Sequence, residues 1–350
     1  MGFVEEIINT LELNSNRREK IEGFLSTVSF YKIAPYVNYV VENNDKYKKF
    51  KKIINIDQSP CFWQKTAIKD KWDLVTYLYR YNIKLSIALY PYIYLIETTL
   101  KTKINNLMCR EYSENWFKDE SLFFKAYSLD LSIDKEIFDK YFVFGKIGKN
   151  EEKEIKEIYK NYQNQLKILP EKLTTSQIKA KIYKIKACIY LIKASRKAIK
   201  EKEKIEIFAF VENETTFGYW VSLIQNKHFW KESQVSLKTM FLNGEIKQEE
   251  MNEKHSEISN KLDKIRILRN QISHHNQIIG IKENQLKSAS KKFSLIQTYE
   301  DILYLFSLLG IDPQKDLFIN ELKCNQNKMF CKGRSFEILY NELKLMHNKI

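Results

Sequence analysis

The amino-acid sequence predicts an all-α protein, and three observations lead to that fold class. The 350 residues include only nine glycines and five prolines, so few positions interrupt regular structure. Apolar side chains recur every three or four residues over long stretches, which is the spacing of one helix face. No stretch alternates apolar and polar residues strongly enough to predict a sheet.

Seven segments carry this helical pattern clearly, and two or three shorter helices follow them. The seven are residues 3–12, 17–28, 29–42, 72–111, 151–164, 175–202 and 247–279. Asn14 and Ser15 supply turn and capping groups between the first two. Pro35 and Pro91 each either begin a helix or kink one, and Gly280 stands where the last of the seven is expected to end.

The composition indicates a cytoplasmic protein with an anionic partner. The formal net charge is +14, an excess typical of proteins that bind nucleic acid or a membrane surface. No run approaches the roughly 18 uninterrupted apolar residues of a membrane span, and the N-terminus is acidic where a signal peptide is basic. Five cysteines without a C-x-x-C pair and only five histidines predict no metal site and no disulfide framework. No glycine-rich phosphate loop indicates a cofactor.

The positive charge is concentrated between residues 141 and 204, which contain 17 lysines and arginines but only seven glutamates. On the predicted helix here, six residues share one face: Lys179, Lys186, Tyr190, Lys193, Lys197 and Lys200. Four others share a second face: Ile182, Ile185, Ile189 and Ile192. Because lysines can follow a phosphate backbone and a tyrosine can stack on a base, we predict RNA binding. The alternatives are a solvated face above a buried one and, less favoured, a membrane-surface helix.

A second group of chemically active residues lies on the helix predicted over residues 247–279. Its apolar residues form one stripe that we expect to be buried: Ile258, Leu262, Ile265, Leu268 and Ile272. His275 follows close to this stripe and is expected to lean toward the core, whereas His274 lies on another face. Arg269 and His274 are separated by roughly 140° around a regular helix. Their cooperation therefore needs a distorted helix, an arginine that wraps around it, or two motifs meeting in a dimer.

Arg269, Asn270 and His274 supply what RNA cleavage without a metal requires. The RNA strand carries its own nucleophile, the 2′-hydroxyl, and a histidine can take or give a proton near neutral pH. An arginine can hold a phosphate through two hydrogen bonds and stabilise the charge that develops on it, while Asn270 can orient either group. By itself this spacing is a weak signal, because a surface arginine and a neighbouring histidine produce it too.

The longer string LRNQISHHN, residues 268–276, resembles the HEPN signature. Its form is most similar to that of the Abi-like family of AbiD and AbiF abortive-infection proteins. Three further segments resemble this family in the same order: SFYKIAPYV at 29–37, LIETTLKTKI at 95–104 with YSENWF shortly after it, and TTFGYWVSLI at 215–224. Together the similar segments span most of the chain.

The resemblance implies a HEPN-type helical bundle and a toxic RNase that acts against phage or in a toxin–antitoxin pair. It also implies a homodimer and, as in AbiF-type members, a cognate structured noncoding RNA. By position, it assigns the catalytic set to Arg269, Asn270 and His274, with His275 in support. Glu97 matches the family's glutamate and Lys101 replaces its usual arginine. These two residues either support the active site or form an ordinary i,i+4 ion pair.

These expectations divide the chain into four segments. They are N-terminal helices over 1–120, a basic helical insertion over 121–204, the HEPN catalytic helices over 205–310, and C-terminal helices over 311–350. The predicted function is a metal-independent endoribonuclease of an antiphage system. Two alternatives stay open: a non-catalytic RNA-binding protein on a HEPN scaffold, and a protein that serves nucleotide chemistry with a nucleotidyltransferase partner.

Overall fold

The computed structural model describes residues 2–42, 69–129, 175–200, 215–232, 236–241, 253–278 and 295–312. This part of the chain is 84% helical and contains no strand, which confirms the all-α prediction. Its α-helices are α1 (Gly2–Leu11), α2 (Arg18–Leu25), α3 (Phe30–Glu42), α4 (Lys71–Glu111), α5 (Glu120–Ala126), α6 (Thr175–Lys200), α7 (Phe217–Gln225), α8 (His255–Ser273) and α9 (Leu295–Leu309). Shorter helical turns are Ser15–Arg17, Trp116–Lys118, Leu237–Phe241 and the π-helical His228–Glu232.

The chain divides into two compact units, each described by itself. The first consists of residues 1–96 and 264–350, and the second of residues 97–263. Both boundaries fall inside helices, so α4 and α8 contribute residues to each unit. The four segments expected from the sequence stay a prediction.

The core of the first unit is built from the apolar faces of its N-terminal helices. α1 packs against α2 and α3, and the beginning of α4 adds Trp72, Leu74, Val75 and Leu78 to the same cluster. Each fully buried aliphatic side chain contributes about 1.5–3 kcal/mol through removal of apolar surface from water. Pro35 and Pro91 both lie inside helices, so neither begins one.

The core of the second unit is rich in aromatic side chains. α6 packs against α5, α7 and the turn at Trp116–Lys118. The largest buried rings are Trp116, Phe117, Phe123, Phe124, Phe217, Tyr219, Trp220, Phe229 and Trp230. Several meet edge to face, as Trp116 and Trp220 do with centroids 6.3 Å apart, an arrangement that aromatic pairs prefer. The helix predicted over residues 151–164 and Gly280 lie outside the described residues.

Candidate functional site

The predicted apolar stripe of α8 is buried along its whole length. Four of its members have no exposed surface and Ile272 has 7%. The stripe fixes the rotation of the helix, which leaves Arg269 and Asn270 half-buried beside it. Lys264 donates to the buried carboxylate of Asp301 on α9 at 3.0 Å, and this ion pair anchors α8 shortly before the motif.

α8 ends at Ser273, inside the motif, rather than at residue 279. The N–H of His275 donates to the carbonyl of Ile272 at 2.9 Å, and that of Asn276 donates to the carbonyl of Gln271 at 2.8 Å. His275 has φ +53°. These bonds around a left-handed residue form a Schellman turn. The expected longer helix was wrong because this turn needs no glycine: histidine is among the residues that adopt the left-handed region.

Three other helices end in the same turn, and the comparison shows what is unusual about α8. Glu12, Ser128 and Gly310 take the left-handed position there, so positive φ alone does not single out His275. The residue that follows in those turns is apolar, namely Leu13, Leu129 or Ile311. Such a residue commonly packs back on its helix. After α8 the corresponding residue is the exposed Asn276, and polar contacts hold the turn instead.

Two side chains from other helices make these polar contacts. Lys32 of α3 donates through Nζ to the carbonyl of His274 at 2.6 Å and to Oδ1 of Asn276 at 3.2 Å. Asn82 of α4 accepts from the N–H of Ile278 at 2.7 Å and donates to the carbonyl of Asn276 at 3.2 Å. A cation at a helix C-terminus is favourable because the last carbonyls carry partial negative charge. Lys32 and Asn82 therefore fix the backbone around both histidines.

Both histidines of the motif are exposed. The expectation that His275 leans toward the core is wrong, because the left-handed turn takes it off the helical stripe and onto the lining of a surface cavity. α8 is continuous through Arg269, and the N–H of His274 still donates to the carbonyl of Asn270 at 3.0 Å. The roughly 140° between Arg269 and His274 therefore persists. Any cooperation of these two side chains would need the reach of the arginine or a second copy of the motif.

The cavity beside the turn has a volume of about 820 Å³. Most of its lining surface is apolar, with contributions from Ile83, Ile87, Tyr90 and Pro91 of α4 and Ile272 of α8. Polar groups complete it: Lys32, Tyr79, Asn82, Ser86, Ser273 and His275. The Schellman turn at residues 271–276, the motif turn, and the cavity thus share one surface of the first unit.

Sequence interpretation missed Lys32 and Asn82 as residues of this site. A signal for Lys32 was present, since it is the only basic residue of the segment SFYKIAPYV. No comparable signal marked Asn82, because one asparagine within a long helical pattern does not reveal which backbone it contacts. Its role depends on residues 276–278, almost 200 positions further along the chain.

Glu97 and Lys101 form an ion pair across one turn of α4, with Oε1 and Nζ 2.9 Å apart. Both side chains are largely buried. This is the ordinary i,i+4 pair that the sequence allowed. The pair belongs to the second unit, whereas Arg269, Asn270 and His274 belong to the first. A supporting role of the pair in catalysis stays a prediction.

α6 presents the two faces expected from its sequence. Ile185, Ile189 and Ile192 are buried, and the exposed residues include Lys186, Tyr190, Lys193 and Lys197. The side chains of Lys179, Lys200 and Ile182 lie outside what the structure describes. Binding of RNA by the exposed face stays a prediction.

Tyr183 belongs to the same exposed face and was missed from the sequence. It is 72% exposed, and Tyr190, two helical turns later, is 42% exposed. With Lys186 and Lys193, these tyrosines make an alternating series at steps of three and four residues. Tyr183 lies three residues before Lys186 and therefore on the same helix face. A search at this spacing for aromatic residues as well as lysines would have found it.

Hydrogen bonds join α6 to α7 and to Thr216, the residue before α7. The hydroxyls of Tyr190 and Thr216 lie 2.9 Å apart, and those of Ser195 and Tyr219 lie 3.1 Å apart. Burial raises the pKa of Tyr219 and raises that of Tyr127 to about 12, so both phenols stay neutral in the core. These contacts attach α6 to the core of the second unit and leave its lysine face exposed.

Among the described residues, no group of three or more His, Cys, Asp or Glu side chains is arranged to hold a metal ion. None of the helices in the described ranges combines enough length with enough apolar character to cross a membrane.

The fold and the motif turn define an all-α protein with arginine, asparagine and histidine gathered at one helix end. The family model of the Abi-like proteins matches residues 23–280. The chain therefore belongs to the Abi-like family, and this membership suggests a role in abortive-infection defence. No curated protein and no solved structure matches the chain.

Proposed function

We propose that this protein is a cytoplasmic, metal-independent endoribonuclease of the HEPN class. It acts in abortive infection or as the toxin of a toxin–antitoxin pair. The observation that carries the proposal is the C-terminal end of α8, where the half-buried Arg269 and Asn270 directly precede the turn with the exposed His274, which Lys32 holds. Such a surface offers RNA cationic groups and a group that transfers protons. The similarity of LRNQISHHN to the HEPN signature supports the reaction class.

Cleavage proceeds by attack of the 2′-hydroxyl oxygen on the adjacent phosphorus. A histidine removes the 2′-proton as the new P–O bond forms, and the P–O5′ bond breaks when the leaving oxygen receives a proton. Arg269 stabilises the extra negative charge on the phosphoryl oxygens. His274 is the proton-transfer residue and Asn270 positions the phosphate. The products are a 2′,3′-cyclic phosphate and a 5′-hydroxyl.

A homodimer solves the angular separation of Arg269 and His274, since the arginine of one copy can act with the histidine of the other. A mixing experiment tests this arrangement. Arg269→Ala and His274→Ala chains are inactive alone, but their heterodimer contains one intact pair. Statistical mixing of a two-fold dimer then restores about a quarter of wild-type activity. No recovery in a mixture that forms heterodimers refutes a shared active site.

The exposed face of α6 binds RNA and, in this proposal, holds a cognate structured noncoding RNA. Lys186, Lys193 and Lys197 neutralise phosphates, and Tyr183 and Tyr190 stack on bases. Their exposure on one rigid helix supports this role. Co-purification of a defined RNA with the full chain tests it, and the loss of that RNA on reversing the charges of Lys193 and Lys197 is the expected result.

The catalytic proposal is tested by cleavage of labelled RNA in excess EDTA. Removal of Arg269 or His274 by alanine should lower the rate about 10²–10⁴-fold, the range typical of a lost acid–base group. Arg266→Ala, one turn earlier on α8, is the matched control and should cleave like the wild type. The new 5′ ends should accept phosphate from a polynucleotide kinase directly. Full cleavage by both motif variants contradicts the proposal.

A second candidate function is RNA binding without catalysis. It is favoured by the exposed face of α6, which belongs to the second unit and does not depend on the motif. In this case the wild-type protein binds RNA as tightly as the His274→Ala variant, and neither cleaves it.

A further inference from the structure

The cavity beside the turn of α8 has the size and lining of a ligand site. Its volume of about 820 Å³ lies within the range of about 300–1,000 Å³ that is usual for small-molecule pockets. Three side chains of its α4 wall are strongly exposed: Ile83 at 41%, Ile87 at 69% and Tyr90 at 41%. Clustered apolar side chains that remain exposed to water mark a binding surface.

Polar groups stand at the edge of this apolar wall. Lys32 Nζ uses two donors on the turn and, as an ammonium group, has a third. Ser273 adds a hydroxyl and His275 a ring nitrogen. Because Pro91 has no N–H, it cannot donate the usual helical hydrogen bond to the carbonyl of Ile87, which lies on the same wall. The lining therefore combines apolar contact with several donors and acceptors.

This combination fits a nucleobase, which is apolar on both faces and polar along its edge. Tyr90 and His275 provide rings on which a base can stack, and the polar groups can read its edge. Ser273 and His275 line the cavity and belong to the end of α8 and its turn, and Lys32 lines the cavity and donates to that turn. A base in the cavity would therefore carry its own phosphate to His274.

We propose that this cavity binds one unpaired base of the RNA substrate next to the cleaved phosphate. This inference rests on the proposed ribonuclease function and deepens it. The pocket makes single-stranded or bulged RNA the preferred substrate, because a base held in a duplex cannot enter it. It also makes the identity of that base a determinant of the cleavage site.

An abasic scan tests the pocket without requiring cleavage. A short single-stranded RNA is bound to the His274→Ala protein while each base is removed in turn. Loss of one particular base should weaken binding about 5- to 150-fold, as expected for one lost stacking contact. Ile87→Trp fills the pocket from an exposed position and should remove the dependence on that base. Leu303→Trp, at a 40% exposed site on α9, is the matched control and should preserve it.

The cleavage assay separates this inference from the proposed function. In a protein with the wild-type catalytic residues, Ile87→Trp should raise the KM for RNA and reduce the specificity for the cleavage site. Leu303→Trp should change neither. An abasic profile that is flat, or that is unchanged by Ile87→Trp, overturns the pocket even if the wild type cleaves RNA. If the wild type does not cleave, the binding scan still decides whether the pocket holds a base.

Discussion

Replacing Asn82 by alanine should loosen the motif turn strongly. The side chain is only 4% exposed, and its amide makes two hydrogen bonds to the backbone of residues 276–278. Loss of the bond to the carbonyl of Asn276 costs about 1 kcal/mol, and loss of the other bond, which leaves the buried N–H of Ile278 without a partner, costs about 1–3 kcal/mol. The turn should therefore lose about 2–4 kcal/mol of local stability.

Hydrogen exchange at the amide of Ile278 measures this loss directly. A decrease of about 2–4 kcal/mol speeds exchange from the open state about 30- to 900-fold. Asn9→Ala is the matched control, because Asn9 is an exposed asparagine on α1 of the same unit. Exchange at Ile278 within threefold of the wild type would show that Asn82 does not hold the turn. We also expect slower RNA cleavage, with unchanged RNA binding by α6.

Three further predictions concern the turn, the core and the RNA face. His275→Gly should raise stability in urea unfolding by about 1 kcal/mol, because glycine adopts a left-handed conformation without strain; destabilisation would contradict the strain argument. Burial raises the pKa of Tyr127 to about 12, so its proton is kept in the folded state and lost from the unfolded chain above about pH 10. The contribution of Tyr127 to stability should therefore fall by about 1.4 kcal/mol per pH unit from there to about pH 12. Tyr127→Phe should reduce that slope, and an unchanged slope would refute the assignment. Lys193→Gln with Lys197→Gln should lower the salt dependence of RNA binding by about 0.7–0.9 per lysine, whereas Lys20→Gln on α2 should not.

The turn of α8 shows how a surface site can be held without a hydrophobic contact. In the turns after α1, α5 and α9, an apolar residue follows the left-handed position. In the turn after α8, Asn276 occupies that position, and hydrogen bonds from Lys32 and Asn82 hold the turn. Because charged and polar side chains hold this turn, hydrogen-bond donors remain at the surface, where a phosphate could bind.

The sequence predicted the helices well where their apolar period was long. The stripe on α8 and the two faces of α6 follow directly from residue spacing, because burial of one helix face requires that period. The end of α8 was not predictable in the same way. Residues up to 279 continue to permit a helix, and only the bonds of His275 and Asn276 show where the chain turns.

By itself, the sequence determined the fold class, the concentration of positive charge between residues 141 and 204, and the identity of the motif residues. These properties reside in composition and local spacing. Only the tertiary structure decided that both histidines are exposed, that Lys32 and Asn82 hold their turn, and that a cavity lies beside it. The reason is that these features arise only when separate helices pack together. The hydrogen bonds join residues some 200 positions apart, and the cavity is the space between α4 and the end of α8 within the first unit.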